Sequence, residues 1–376
     1  MLRRALTPAL LALALAAPAA GAQAFPDDTG RAARSGPAGG WRAVQWDLTG
    51  PFGIRVTEAW SRARRAGAPG GRGVRVAVID SGIAYRRSGP YRQSPDLRGV
   101  RLLQGRDFVD DDDTPIDETG HGTFVASVIG ARAGNRYGTA GIAYEAEILP
   151  VRVIDRQAET DPRTIAEGVR YAVRRRADVI NLSVQGPLDD ATGRGHSLAL
   201  YAPVREAVGA ALRAGIVVVV AAGNDGQSDI PGRRLGDVVF VGATTERGCL
   251  ADYSNTGPGV DLVAPGGGRD AVVPGDPNCR PDDEPGRNIP QVTFDAARPG
   301  RFVVPDDYYG TSMAAPHVTG VVALLLGARV LGDDPTPREV GAHLRRTARD
   351  LGRPGPDRTY GAGLLDAGAA LTPPPR

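Results

Sequence analysis

Val74-Arg75-Val76-Ala77-Val78-Ile79-Asp80-Ser81-Gly82 reads as a strand that runs straight into a turn: a nearly continuous β-branched run, then a carboxylate, a hydroxyl and a glycine. A continuous apolar run, unlike an alternating one, fits a strand covered on both faces. The same grammar recurs along the chain. Strands are expected over Val74 to Ile79, Ile148 to Ile154, Val179 to Val184, Ile216 to Ala222 and Val238 to Ala243. Helices are expected over Gly122 to Ala131, Thr164 to Arg175 and Val204 to Ala214. This alternation predicts an α/β fold, a parallel sheet with helices on both faces. Ligands of such sheets bind beyond the carboxyl ends of the strands, which is where Asp80, Ser183 and Asn224 would gather.

Three further motifs follow Asp80-Ser81-Gly82. They are His121-Gly122-Thr123, Ala222-Gly223-Asn224 and Gly310-Thr311-Ser312-Met313-Ala314. An acid, a base, an amide and a nucleophile thus sit in separate glycine-flanked turns, a set of groups suited to acyl transfer. Each residue has a plainer reading. Ser312 could simply cap the apolar helix expected through His317 to Ala328, and Asp80 and Asn224 both stand in good turn sequences. It is their joint occurrence that favours chemistry. Pro316 is expected in the first turn of the Ser312 helix, where a missing N–H costs nothing. Of the four histidines, His317 is expected as a packed core residue, and His196 and His343 as surface residues.

Composition narrows the field. The chain has 376 residues, 41% hydrophobic, with 51 Gly and 31 Pro, enough for one large core with many turns. A net charge of +2 gives no reason to expect nucleic acid or an anionic surface as partner. All 45 basic residues are Arg, so lysine-dependent nucleophilic catalysis is excluded. Arg3 and Arg4 precede the apolar run Ala5 to Ala17, and small residues follow up to Ala24, the pattern of a secretory signal peptide over residues 1–24. No later stretch is long enough to span a membrane. Residues 25–40 read as a flexible leader and 372–376 as a tail. In an exported chain, Cys249 and Cys279 favour a disulfide over free thiols, stabilising by roughly 3 kcal/mol.

The motifs and their order resemble the subtilases, the subtilisin-like serine peptidases, from about Trp46 to Leu371. Ile180-Asn181-Leu182-Ser183, Gly257-Pro258-Gly259-Val260-Asp261-Leu262-Val263-Ala264-Pro265-Gly266 and Gly361-Ala362-Gly363-Leu364-Leu365-Asp366-Ala367 add to the likeness. The resemblance implies one catalytic domain over residues 41–371, with Ser312 as nucleophile, His121 as general base, Asp80 as its orienting acid and Asn224 as oxyanion donor. It implies that Ser183, Val184, Gln185 and Gly186 flank a polypeptide substrate as an added strand, with Ala222 and Gly223 in the wall of an apolar primary pocket with room for a large side chain. Gln185 departs from the family, which usually carries Gly at that position.

No cofactor is expected for the chemistry. Subtilases often bind calcium, and the acidic run Asp107, Asp110, Asp111, Asp112, Asp113 and Asp117 could supply oxygen ligands, although a solvated acidic loop is the plainer expectation. Residues 267–307 exceed the comparable family stretch and read as an inserted surface loop. The mature protein is expected to be an extracellular monomer that keeps Trp41 to Trp60 as part of its body. An α/β-hydrolase esterase is disfavoured, because Ala314 replaces the last glycine of its nucleophile motif and the acid, base and serine come in the opposite order.

Overall fold

The computed structural model describes residues 26–33, 37–185, 197–228 and 235–374. The signal peptide, Gly186 and His196 lie outside the described residues. Eight strands form one sheet: β1 (Arg75–Asp80), β2 (Arg101–Leu102), β3 (Arg106–Asp107), β4 (Glu147–Arg152), β5 (Val179–Leu182), β6 (Val217–Ala221), β7 (Val239–Thr244) and β8 (Leu262–Pro265). Their order is β2-β4-β1-β5-β6-β7-β8, with β3 also on β4, and every pairing is parallel. A separate antiparallel hairpin joins β9 (Thr293–Asp295) to β10 (Arg298–Val303).

The helices are α1 (Trp41–Val44), α2 (Trp46–Thr49), α3 (Val56–Arg65), α4 (His121–Gly130), α5 (Pro162–Arg174), α6 (Ala202–Arg213), α7 (Thr311–Gly327), α8 (Pro337–Thr347) and α9 (Ala367–Ala370). Because strand side chains alternate, Val76, Val78, Val217 and Val219 pack with Phe124 of α4 and Val318 of α7. Ala77, Ile79, Val218 and Val220 face the other way, onto Ile165 and Val169 of α5 and Val204 and Val208 of α6. The expected covering of both faces is what the structure has. Helix α7 is apolar all round and is correspondingly enclosed, buried from Met313 to Leu325. Among the described residues, no helix is long and apolar enough to cross a membrane.

The segment before the sheet belongs to the body. Trp41, Trp46, Leu48, Ile54, Val56 and Trp60 are buried, and the indole N–H of Trp60 donates to Ile142 O at 2.7 Å. Residues 26–33, expected as loose leader, are docked. Asp28 is 2% exposed and accepts from Gly134 N at 2.9 Å and Asn135 N at 3.0 Å, while Gly30 N donates to Gly138 O at 2.6 Å. These bonds end on main-chain groups, so composition gave no sign of them. The stretch 267–307 also differs from a plain surface loop. It carries the hairpin and buries Ile289, Gln291, Val292, Thr293 and Phe294, and Cys279 within it is joined to Cys249.

One buried carboxylate ties the turn after β1 to the start of α4. Asp117 Oδ1 accepts from Ser81 Oγ, Thr119 N and Gly120 N, each at 2.9 Å. Its Oδ2 accepts from Thr123 N at 2.8 Å and Thr123 Oγ1 at 2.6 Å. Burial raises the Asp117 pKa, and the bonds from Thr123, Gly120 and Thr119 offset only part of that rise. The two turns approach so closely that a side chain at Gly122 would collide with Gly82 O. Asp117→Ala should therefore strand several buried donors and lower stability by about 3 kcal/mol or more in urea denaturation. A loss under about 1 kcal/mol would contradict this role.

Candidate active site

Asp80 closes β1 and is fully buried, and His121 opens α4. The arrangement follows from the sequence locally: a strand end fixes the carboxylate, and Gly120, at φ 94°, lets the chain turn into the helix. His121 Nδ1 meets Asp80 Oδ1 at 2.7 Å, and the same oxygen accepts from Ser81 N at 2.8 Å. With Nδ1 donating to the carboxylate, Nε2 is left as the basic nitrogen. Burial, the largest influence on the ring, pushes its pKa down. The Asp80 charge and hydrogen bond, with the Asp117 charge, outweigh that effect, and His121 titrates above its usual 6.5.

Ser312 is the second residue of α7, with its amide in the first turn where helix N–H groups have no partner within the helix. Its hydroxyl donates to Ser183 O at 3.3 Å, and no hydrogen bond joins Ser312 to His121 in this structure. Pro316 lies in the second turn of the helix, beyond the first turn where it was expected. Its missing N–H leaves Ser312 O without the usual partner four residues on. Ser183 Oγ takes that carbonyl at 3.0 Å, Asn181 Nδ2 donates to Ser183 Oγ at 2.9 Å, and Thr319 Oγ1 donates to Asn181 Oδ1 at 2.8 Å. The end of β5 is thus clamped to the helix through the carbonyl that the proline frees.

Asn224 follows β6. Its Oδ1 accepts from both Thr311 N and Thr311 Oγ1 at 2.8 Å, while Thr311 Oγ1 accepts from Gly223 N at 3.1 Å. Fixing Oδ1 this way leaves Nδ2 as the group available to a ligand. Thr311 escaped the sequence reading, and its one signal was its place directly before the serine. Val184, Gln185, Ala222, Gly223, Asn224 and Ser312 line one cavity, so those expected substrate-flanking residues come together.

The acidic run is arranged around arginine. Arg152, 3% exposed, donates to Asp107 at 2.8 Å, Asp110 at 2.6 Å and Glu118 at 2.6 Å. Arg106 pairs with Asp111 and with Asp113. Asp117 is spent on backbone and hydroxyl donors. With their carboxylates turned to guanidinium and N–H groups, these residues do not fit a calcium ion, and among the described residues no group of three or more His, Cys, Asp or Glu could hold a metal. His317 is buried as expected, with Nδ1 2.7 Å from Met313 O and Nε2 2.9 Å from Asp47 Oδ2. His343, expected at the surface, is buried, with Nε2 2.9 Å from Ala370 O. The α8 face that carries it packs toward α9, which the arginines on either side of it concealed.

Comparison with known proteins agrees with this architecture. The profile of the subtilase family (Peptidase_S8) matches residues 71–363. An intracellular serine protease of Paenibacillus polymyxa is 33% identical over 330 residues, spanning 84% of this chain and 84% of that protein. Subtilisin BL of Lederbergia lenta is 32% identical over 321 residues, 85% of this chain and 98% of that one. Among solved structures, a protease of Pseudoalteromonas arctica PAMC 21717 aligns over 93% of this chain and 99% of its own with a TM-score of 0.68 at 27% identity. The chain belongs to the subtilase family and is a subtilisin-like serine protease.

Proposed function

We propose that this protein is an exported endopeptidase that cleaves polypeptides through an acyl-enzyme on Ser312, with His121 as base, Asp80 as its orienting acid and Asn224 as oxyanion donor. The observation that carries the reading is the 2.7 Å bond from His121 Nδ1 to a carboxylate held at a strand end, which leaves Nε2 basic. Ser312 Oγ turns from Ser183 O toward His121 Nε2, loses its proton there and attacks the scissile carbonyl. The negative charge that forms on the carbonyl oxygen is met by Asn224 Nδ2 and the Ser312 N–H. His121 then returns the proton to the leaving amine, and water repeats the sequence on the ester. The peptide lies along the Ser183 to Gly186 segment as an added strand read mainly through its backbone, so selectivity is broad beyond an apolar primary residue.

Export is read from the pattern of residues 1–24 and is supported by the Cys249–Cys279 disulfide, a bond characteristic of oxidising compartments. Amino-terminal sequencing of protein from the culture medium should begin at Gln23 or Phe25. Recovery of the chain only from the cytoplasm with Met1 in place would refute export. A monomer is proposed, because Asp80, His121, Asn224 and Ser312 all come from one chain.

Ser312→Ala and His121→Ala should each abolish peptide hydrolysis with circular dichroism unchanged, with turnover falling by as much as ~10⁶, the loss that removal of the nucleophile or the base causes in subtilisin. Asn224→Ala should cut kcat by about 10²–10³ with KM little changed. A folded Ser312→Ala variant with normal turnover would refute the assignment. Because the base must be neutral and His121 titrates above 6.5, kcat/KM should rise with pH through a midpoint above that value. A midpoint well below it would mean that another group takes the proton.

A further inference from the structure

Gln185 stands where subtilases usually carry glycine, and its side chain is engaged. Its Nε2 donates to Asp225 Oδ2 at 2.6 Å. Gln185 lies just beyond β5 and Asp225 just beyond β6, two neighbouring parallel strands, so the bond runs between the two segments that wall the primary pocket. Gln185 shares the lining of one cavity with Val184, Leu198, Val220, Ala222 and Phe240, whose side chains are apolar, and with Ser312. The cavity they help to line has a volume of about 30 Å³, room for roughly two water molecules. That is far less than the small residues Ala222 and Gly223 imply when read alone.

The acceptor end of the bond is held in place. Asp225 N donates to Asn255 Oδ1 at 3.1 Å, which also accepts from Gln227 N at 2.8 Å, and Asn255 Nδ2 donates to Ala222 O at 2.9 Å. Asp225 thus holds the Gln185 side chain in the cavity wall, and an aromatic side chain too large for the cavity would have to displace it and break a charge-assisted bond. A methyl-sized side chain requires no such displacement.

We infer that the Gln185–Asp225 bridge sets the size of the residue accepted before the scissile bond, selecting small apolar side chains such as alanine over aromatic ones. This rests on the proposed roles of Ser312 and the primary pocket. The test measures kcat/KM for succinyl-Ala-Ala-Pro-Ala and succinyl-Ala-Ala-Pro-Phe p-nitroanilides. Wild type should favour the alanine substrate. Gln185→Gly and Asp225→Ala should each raise the Phe-to-Ala ratio by about ten- to two-hundred-fold, the range that a size mismatch in an apolar pocket commands. Asp225→Asn, which keeps an acceptor oxygen, should stay near the wild-type ratio. A wild type that prefers phenylalanine, or a ratio that moves in neither Gln185→Gly nor Asp225→Ala, overturns the inference. Ser312→Ala run alongside separates the two readings: cleavage that survives in it faults the nucleophile, whereas an unmoved ratio with Ser312→Ala inactive faults the bridge alone.

Discussion

The buried carboxylate of Asp117 is the constraint on which the site's geometry depends. The strand that ends in Asp80 and the helix that begins at His121 are separated by 40 residues of chain, yet their side chains must meet at hydrogen-bonding distance. Asp117 gathers a hydroxyl from the first turn and amides from the second, so the two turns become one rigid unit. Its desolvation is offset in part by the donors it satisfies, and a buried carboxylate is tolerable only where such donors surround it. Arg152 performs a similar service at the next level out. It binds Asp107, Asp110 and Glu118 and so anchors the loop that leads into Asp117.

A second clamp holds the other half of the site. Helix α7 is enclosed on every side and therefore fixed in place, but it contains Pro316, which deprives Ser312 O of its helical partner. The freed carbonyl is not wasted in water. It anchors Ser183, and through Asn181 and Thr319 the anchor returns to the same helix. The segment beside which a peptide would lie is thereby tied to the turn that carries the serine. Thr311 ties the Asn224 turn to that helix in the same way. Ser312, Asn224 and Ser183 consequently share one rigid frame, the condition that preorganised electrostatics would require.

The sheet was legible because its strands are continuous apolar runs, and such runs allow few other readings. Asp80, His121, Asn224 and Ser312 stood out because each falls in a glycine-flanked turn next to a strand or helix end. What stayed hidden was made by contacts distant in sequence. Asp117 looked like one more acid in an acidic run, and nothing local showed that its partners would be N–H groups and hydroxyls. Asp28 docks through backbone amides of residues whose side chains are irrelevant to the contact. Gln185 was visible as a departure from the family, but the aspartate it reaches lies 40 residues on. His343 was misplaced because its helix is basic on one face and packed on the other, and periodicity in so short a helix did not show which face was which.

The proposal that Ser312 is the nucleophile can be tested on the protein itself. The most direct measurement is to treat the purified protein with a fluorophosphonate probe at neutral pH and locate the modified residue by mass spectrometry of its peptides. A single adduct on Ser312, absent from the His121→Ala variant, is the expected result. An adduct on another residue, or equal labelling of wild type and His121→Ala, would contradict it.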